Sequence, residues 1–156
     1  MITEYETVYL SKKGMKELKK SITQLERQVK HAQAELRDLS GGDSREERYE
    51  RIERLSRVES LEADLIEKKS HLSKAKLLPR KRDALKVAIG SVVDLLDTNG
   101  RIFRYTLVNS IEANPSDGRI SFQSPLGKSL IGRTADDTIQ WSAGLKANKL
   151  QLIRIS

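Results

Sequence analysis

A chain of 156 residues has length for about one domain, or two small ones, and with 37% hydrophobic and only 4% aromatic side chains it lacks the material of a dense single-core enzyme. Having no cysteine, it can form no disulfide, thiolate metal site or thiol nucleophile. It also contains no secretion-signal pattern and no apolar run near the roughly 18 residues of a membrane span, so a soluble cytoplasmic protein is expected. The net charge of +7 either attracts polyanions, nucleic acid above all, or serves only to keep the chain soluble.

The first predicted element begins after Ser11, a candidate helix cap. Large apolar residues then fall at Met15, Leu18, Ile22, Leu25, Val29, Ala32, Leu36 and Leu39, with steps alternating between 3 and 4. That is a heptad seam, which lets one helix lie along another. Gly41-Gly42 stops the helix, because glycine tolerates the left-handed backbone with which helices often end. Asp43 or Ser44 can cap a second helix from about Arg45, with Tyr49, Ile52, Leu55, Val58, Leu61, Leu65, Leu72 and Ala75 at looser helical spacing and Pro79 as its terminator. A turn this short forces the two helices antiparallel. At 1.5 Å per residue each helix spans about 40 Å, so the turn is the far end of an α-helical coiled-coil hairpin covering residues 1–79. A single chain satisfies both seams, and a monomer is expected.

After Pro79, residues 80–86, beginning Arg80-Lys81-Arg82-Asp83, read as a linker, and the rhythm then changes. Val87–Leu96 is β-branched and apolar, Asn99-Gly100 is a tight hairpin turn, and Arg101–Val108 is its partner strand. After a turn over Asn114–Gly118 come a strand at Arg119–Phe122, a short helix at Pro125–Ile131 ended by Gly132, and strands at Thr138–Trp141 and Leu150–Ile155. The expectation for residues 87–156 is a small α+β domain with a mainly antiparallel sheet.

The hairpin tip, near residues 38–47, gathers Asp38, Asp43, Glu46 and Glu47. Asp43 and Glu46 are three apart at a helix start and so share a face. They suit a hard cation such as Mg²⁺, which one or two carboxylates often hold while water or phosphate completes the shell. The competing reading is structural: acids at a helix N-terminus complement the macrodipole, and Asp43 is then a cap. Arg45, Arg48, Arg51, Arg54 and Arg57 recur every third residue among glutamates. They form either a phosphate-contacting ladder or a salt-bridged solvated helix with pairs such as Glu47–Arg51 and Glu50–Arg54. Gly127-Lys128-Ser129 is no phosphate loop, since Phe122 stands where that motif needs glycine. His31 and His71 have no partner at ligand spacing, and no nucleophile–base pattern is present, so a self-contained hydrolase is not expected.

Three separated segments together resemble the bacterial Gre transcript-cleavage factors. They are the opening Tyr9–Leu18 (YLSKKGMKEL), the tip Gly42-Asp43-Ser44-Arg45-Glu46 with Tyr49 beyond it, and Ile120–Gly132 (ISFQSPLGKSLIG) followed by Asp136-Asp137. The resemblance spans nearly the whole chain in order. It implies a coiled-coil N-terminal domain and an FKBP-like C-terminal domain that docks on RNA polymerase, with Ser124 and Pro125 in the docking segment. It further implies a tip that enters the secondary channel, where Asp43 and Glu46 act as the catalytic and metal-holding pair. There they help the polymerase hold a second Mg²⁺ while backtracked nascent RNA is cut. Two-metal phosphodiester hydrolysis, with ions about 4 Å apart, fits that arrangement. On this view the protein activates the polymerase's own nuclease and is not itself an enzyme.

The tip departs from the family's D-L-x-E-N-A-E-Y. The leucine is missing, Glu47 stands at the asparagine, and the tyrosine is one residue nearer. A register on Asp38 would put Gly41 at the glutamate, so the Asp43 register alone keeps both acids. Two further readings stand beside the first. One is a regulator of the same fold that occupies the channel and inhibits polymerase. The other is a coiled-coil protein that binds RNA or DNA directly through its basic surface.

Overall fold

The computed structural model describes residues 7–39, 41–79, 85–143 and 146–156. Contacts divide them into two units, one made by Lys13–Ala75 and the other by Thr7–Lys12 with Lys76–Ser156. The first unit is the helical hairpin. Helix α1 (Lys12–Arg37) buries Leu18, Ile22, Val29 and Ala32 of the heptad seam read from sequence and half-buries Met15, Leu25 and Leu36. Gly14 is buried beside them, and the lysine-rich faces stay exposed. Helix α2 (Arg45–Lys74) runs antiparallel to it. Contacts rise along one helix as they fall along the other: Lys69 Nζ lies 3.2 Å from Glu26, Gln33 Nε2 donates to Glu62 at 2.9 Å, and Arg57 lies 3.6 Å from Glu35.

The α2 seam differs from its predicted form. Val58 is buried and Leu61, Leu65 and Leu72 are half-buried, but Tyr49, Ile52 and Leu55 near the tip are exposed. Arg54 turns towards α1 there instead, donating to the backbone carbonyl of Glu35 (3.0 Å), while Arg51 donates to the carbonyl of Gly42 (3.1 Å) in the turn between the helices. Carbonyls at the C-terminal end of a helix have no partner within it, and a guanidinium fork supplies several donors at once. Polar clamping therefore replaces the apolar seam at this end.

Helix α2 stops at Lys74, short of Pro79. Ala75–Leu77 forms strand β2, paired with β1 (Val8–Leu10), and Leu78 N–H continues the pairing to Leu10 O at 3.0 Å. Leu10 is fully buried, so tertiary pairing overrides the helix-favouring composition of Ala75-Lys76-Leu77. Of the expected linker, residues 80–84 lie outside the described residues.

In the second unit a five-stranded sheet has the order β5-β4-β3-β7-β6, with β3 at Val92–Leu96, β4 at Ile102–Val108, β5 at Arg119–Ser121, β6 at Thr138–Ala143 and β7 at Lys146–Ile155. Pairings β3–β4, β3–β7 and β6–β7 are antiparallel, whereas β4–β5 is parallel, so the sheet is mixed. The parallel pair arises because two 3₁₀ turns, Ser110–Glu112 and Pro115–Asp117, return the chain before β5 starts. Strand β3 begins later than the apolar run suggests. Val87 instead exchanges hydrogen bonds with Gly132 and Arg133, and Gly90 turns the chain with φ of 90°. Helix α3 (Pro125–Leu130) packs Leu126 and Leu130 onto Val93, Leu95, Leu107 and Leu152, which closes the core. Ser11, immediately before α1, donates its N–H (3.0 Å) and hydroxyl (2.5 Å) to the carboxylate of Glu112, which is buried in this unit.

Candidate functional site at the hairpin tip

Helix α1 ends at Arg37, where Asp38 and Leu39 still reach back to Ala34 and Leu36 through their N–H groups. After Gly41-Gly42 the chain re-enters a helix through a complete capping box. Ser44 Oγ accepts from Glu47 N at 3.1 Å, and Glu47 Oε2 accepts from Ser44 N at 3.0 Å. That arrangement satisfies two of the donors a helix start leaves open. It also decides the structural alternative for Asp43: the cap is Ser44, and Asp43 is the residue before it.

The four tip acids therefore separate by role. Glu47 is engaged in the cap. Asp38, Asp43 and Glu46 are exposed, and among the described residues neither Asp43 nor Glu46 makes a hydrogen bond or ion pair through its carboxylate. Glu46, in the first turn of α2, also sits at the positive end of the helix dipole. The two carboxylates that the sequence singles out are thus brought to one end of the hairpin and left open to solvent. Two hard oxygen donors fit part of a Mg²⁺ shell. They do not fit a closed site, and among the described residues no group of three or more His, Cys, Asp or Glu gathers where it could hold a metal.

The arginine row resolves into distinct jobs. Arg54 pairs with Glu50 at 2.6 Å as the i,i+4 pattern predicts and also clamps Glu35 O of α1, whereas Arg51 holds Gly42 O in the turn. Arg45 lies over the Tyr49 ring, 5.8 Å from its centroid, and Arg45, Arg48, Tyr49 and Ile52 line a shallow exposed surface. The arginine bonds to Glu35 of α1 and to Gly42 of the turn have no counterpart in the sequence pattern. The run of arginines is visible there, but their targets are backbone carbonyls, which no side-chain pattern marks.

In the second unit, Ser124 caps α3. Its Oγ accepts from Gly127 N at 3.1 Å and donates to Ser121 O at 2.6 Å, and Pro125 follows, exposed, at the first helical position where its missing N–H costs nothing. Ser110 and Ser121 join hydroxyls at 2.7 Å, and Ser121 Oγ accepts from Gln123 N at 3.1 Å. The segment is a rigid, serine-braced turn. Asp137 accepts from Thr134 N and Oγ1, and the backbone bond chiefly lowers its pKa.

The family model described as transcription elongation factor GreA/GreB, C-terminal, matches residues 82–156. Residues 82–156 are thus similar to the C-terminal domain of the GreA/GreB transcription elongation factors. Among curated proteins, the chain is 41% identical over 83 residues to a transcription elongation factor GreA from Zymomonas mobilis, covering 53% of this chain and 52% of that one. It is 47% identical over 55 residues to the GreA of Helicobacter pylori strain Shi470, covering 35% and 34% of the two chains. The chain thus spans about half the length, or less, of the curated GreA proteins it matches. A crystal structure of Thermus aquaticus Gfh1 aligns over 96% of this chain and 98% of its own at 25% identity, with a TM-score of 0.44. The GreA/GreB match covers Ser124, Pro125 and the whole five-stranded sheet, and the tip acids lie before its first residue.

Proposed function

We propose that this protein is a transcription elongation factor that binds RNA polymerase, inserts its hairpin tip into the secondary channel and stimulates cleavage of backtracked RNA. The observation that carries the reading is the pair of exposed, unengaged carboxylates, Asp43 and Glu46, at the end of two helices of 26 and 30 residues. Such helices extend about 40 Å, enough for a narrow arm to enter a deep channel. The match of residues 82–156 to the GreA/GreB C-terminal model, together with relatives named transcription elongation factor GreA, supports the polymerase as partner.

Asp43 and Glu46 would hold a Mg²⁺ jointly with acidic residues of the polymerase, and when bound such an ion activates a water and steadies the leaving oxygen. Each carboxylate also accepts hydrogen bonds, which orients water at the scissile phosphate. Ser124 and Pro125 lie in the segment proposed to dock on the polymerase, and the serine-braced turn presents that segment in one conformation. The protein is then an activator of a nuclease whose other parts belong to the polymerase.

Stalled elongation complexes with backtracked RNA test this. Adding the protein with Mg²⁺ should shorten the transcript from its 3′ end. Asp43→Asn or Glu46→Gln should abolish shortening while binding to polymerase persists. Slowed elongation without RNA release would instead establish the inhibitory regulator. Salt-sensitive RNA or DNA binding without polymerase, indifferent to the tip acids, would establish direct nucleic-acid binding.

A further inference from the structure

The two peptide groups that flank Asp43 are each held by a side chain from α2. On the N-terminal side, the carbonyl of Gly42 accepts from Arg51 Nη2 at 3.1 Å, across nine residues of sequence. On the C-terminal side, the N–H of Ser44 donates to Glu47 Oε2 at 3.0 Å. The backbone at Asp43 has only two soft dihedrals, φ and ψ, and fixing the peptide plane on either side fixes both. The direction of its Cα–Cβ bond follows. Glu46, by contrast, belongs to α2 itself and takes its direction from the helix. A carboxylate in a loop after two glycines would otherwise wander, since glycine is the least restricted residue and loops carry the most backbone freedom.

Gly42 also has a packing reason. A Cβ there would fall on the Glu47 carboxylate, 1.9 Å from Oε2, so the capping glutamate occupies the space that a side chain at 42 would need. Arg51, Glu47 and Gly42 form one device around Asp43, and Arg51 is half-buried as that role requires.

We infer that Arg51 is a positioning residue: by pinning the Gly42 carbonyl it holds the Asp43 carboxylate in fixed register with Glu46, ready to share a divalent cation. The inference rests on the proposed cleavage function for its purpose, and on the two hydrogen bonds alone for its geometry. Residues that orient ligands without touching the metal typically matter by about 10- to 100-fold in metal affinity or activity.

The test uses the full chain in three forms: wild type, Arg51→Met, which keeps length and loses the donors, and Arg51→Lys, which keeps one charged donor. ¹⁵N relaxation at the Asp43 amide should give an order parameter near the rigid value of about 0.85 in wild type. It should fall towards about 0.6 in Arg51→Met and recover in Arg51→Lys, with helix content unchanged by circular dichroism. In the transcript-shortening assay, the Mg²⁺ concentration for half-maximal cleavage should rise about 10- to 100-fold in Arg51→Met at unchanged polymerase affinity. An Asp43 amide equally ordered in wild type and Arg51→Met, or already mobile in wild type, overturns the inference even if cleavage is observed. A rigid Asp43 loosened by Arg51→Met in a protein that cleaves nothing supports the positioning and removes the cleavage function instead.

Discussion

Replacing Gly127 by alanine sets two physical effects against each other. Alanine is favoured over glycine in a helix by about 1 kcal/mol, so propensity alone predicts a more stable α3. Packing predicts the reverse. A Cβ at this position would stand 2.1 Å from the carbonyl oxygen of Ser121, 2.8 Å from Phe122 Cα and 3.0 Å from Phe122 C, all backbone atoms. Those atoms cannot step aside cheaply. Ser121 O is held by Ser124 N (3.0 Å) and Ser124 Oγ (2.6 Å), and Phe122 N is bonded to Val108 O in the sheet. Real Cβ atoms essentially never approach within 3.0 Å, so α3 and the turn must separate by about 1 Å, stretching the Ser124 cap. Overpacking of this kind costs about 1–3 kcal/mol, and lost capping adds about 1 kcal/mol, which together outweigh the propensity gain. A net destabilisation of about 2 kcal/mol is expected, lowering the urea midpoint by about 1 M. Trp141, the single tryptophan of the chain, packs against the core of this unit and reports its unfolding by fluorescence. A Gly127→Ala midpoint equal to or above wild type would refute the close approach of α3 to the Ser121–Phe122 backbone.

Two further outcomes are expected. Ser44→Ala should reduce hairpin stability by about 1 kcal/mol in thermal denaturation followed by circular dichroism, and adding Glu47→Ala should cost little more, because both side chains serve one capping box. Asp94 is buried in the sheet domain, and its pKa is lowered below 3.8 chiefly by the hydrogen bond from Arg104 Nε at 2.8 Å, with burial opposing. A carboxylate with depressed folded pKa gives stability that is present above its unfolded value and disappears as pH falls through the folded one. Urea midpoints read by Trp141 between about pH 2 and pH 6 should therefore drop on acidification in wild type and drop less steeply in Asp94→Asn. Equal slopes in the two proteins would contradict the assignment.

The heptad seam of α1 was legible because apolar spacing is a local property of the chain, and Leu18, Ile22, Val29 and Ala32 are buried as it requires. The Asn99-Gly100 turn and the Pro125 helix were legible for the same reason, since both depend on residues with restricted or permissive backbones. What could not be read depends on distant partners. Ala75–Leu77 leaves the helix because β1, more than sixty residues earlier, offers it a ladder. Tyr49 and Ile52 remain exposed because, at 3.6 residues per turn, they lie on the far side of α2 from buried Val58, whose seam continues towards the tip through Arg54 and Arg51. At the tip, the sequence marks Asp43 and Glu46 but leaves the cap undecided between Asp43 and Ser44. The reciprocal bonds of Ser44 and Glu47 decide it, and they leave Asp43 free for other work.

The central claim, that Asp43 and Glu46 are metal ligands in a shared site, is tested most directly by exchanging ligand softness. The chain has no cysteine, so Asp43→Cys or Glu46→Cys introduces one thiol and nothing else of its kind. Thiolates bind hard Mg²⁺ poorly and prefer softer ions. The cysteine variants should fail to shorten backtracked transcripts in Mg²⁺ alone and should regain activity on addition of Cd²⁺, whereas the matching alanine variants should stay inactive in both. Full activity of the cysteine variants in Mg²⁺ alone, or equal response of cysteine and alanine variants to Cd²⁺, would contradict the claim.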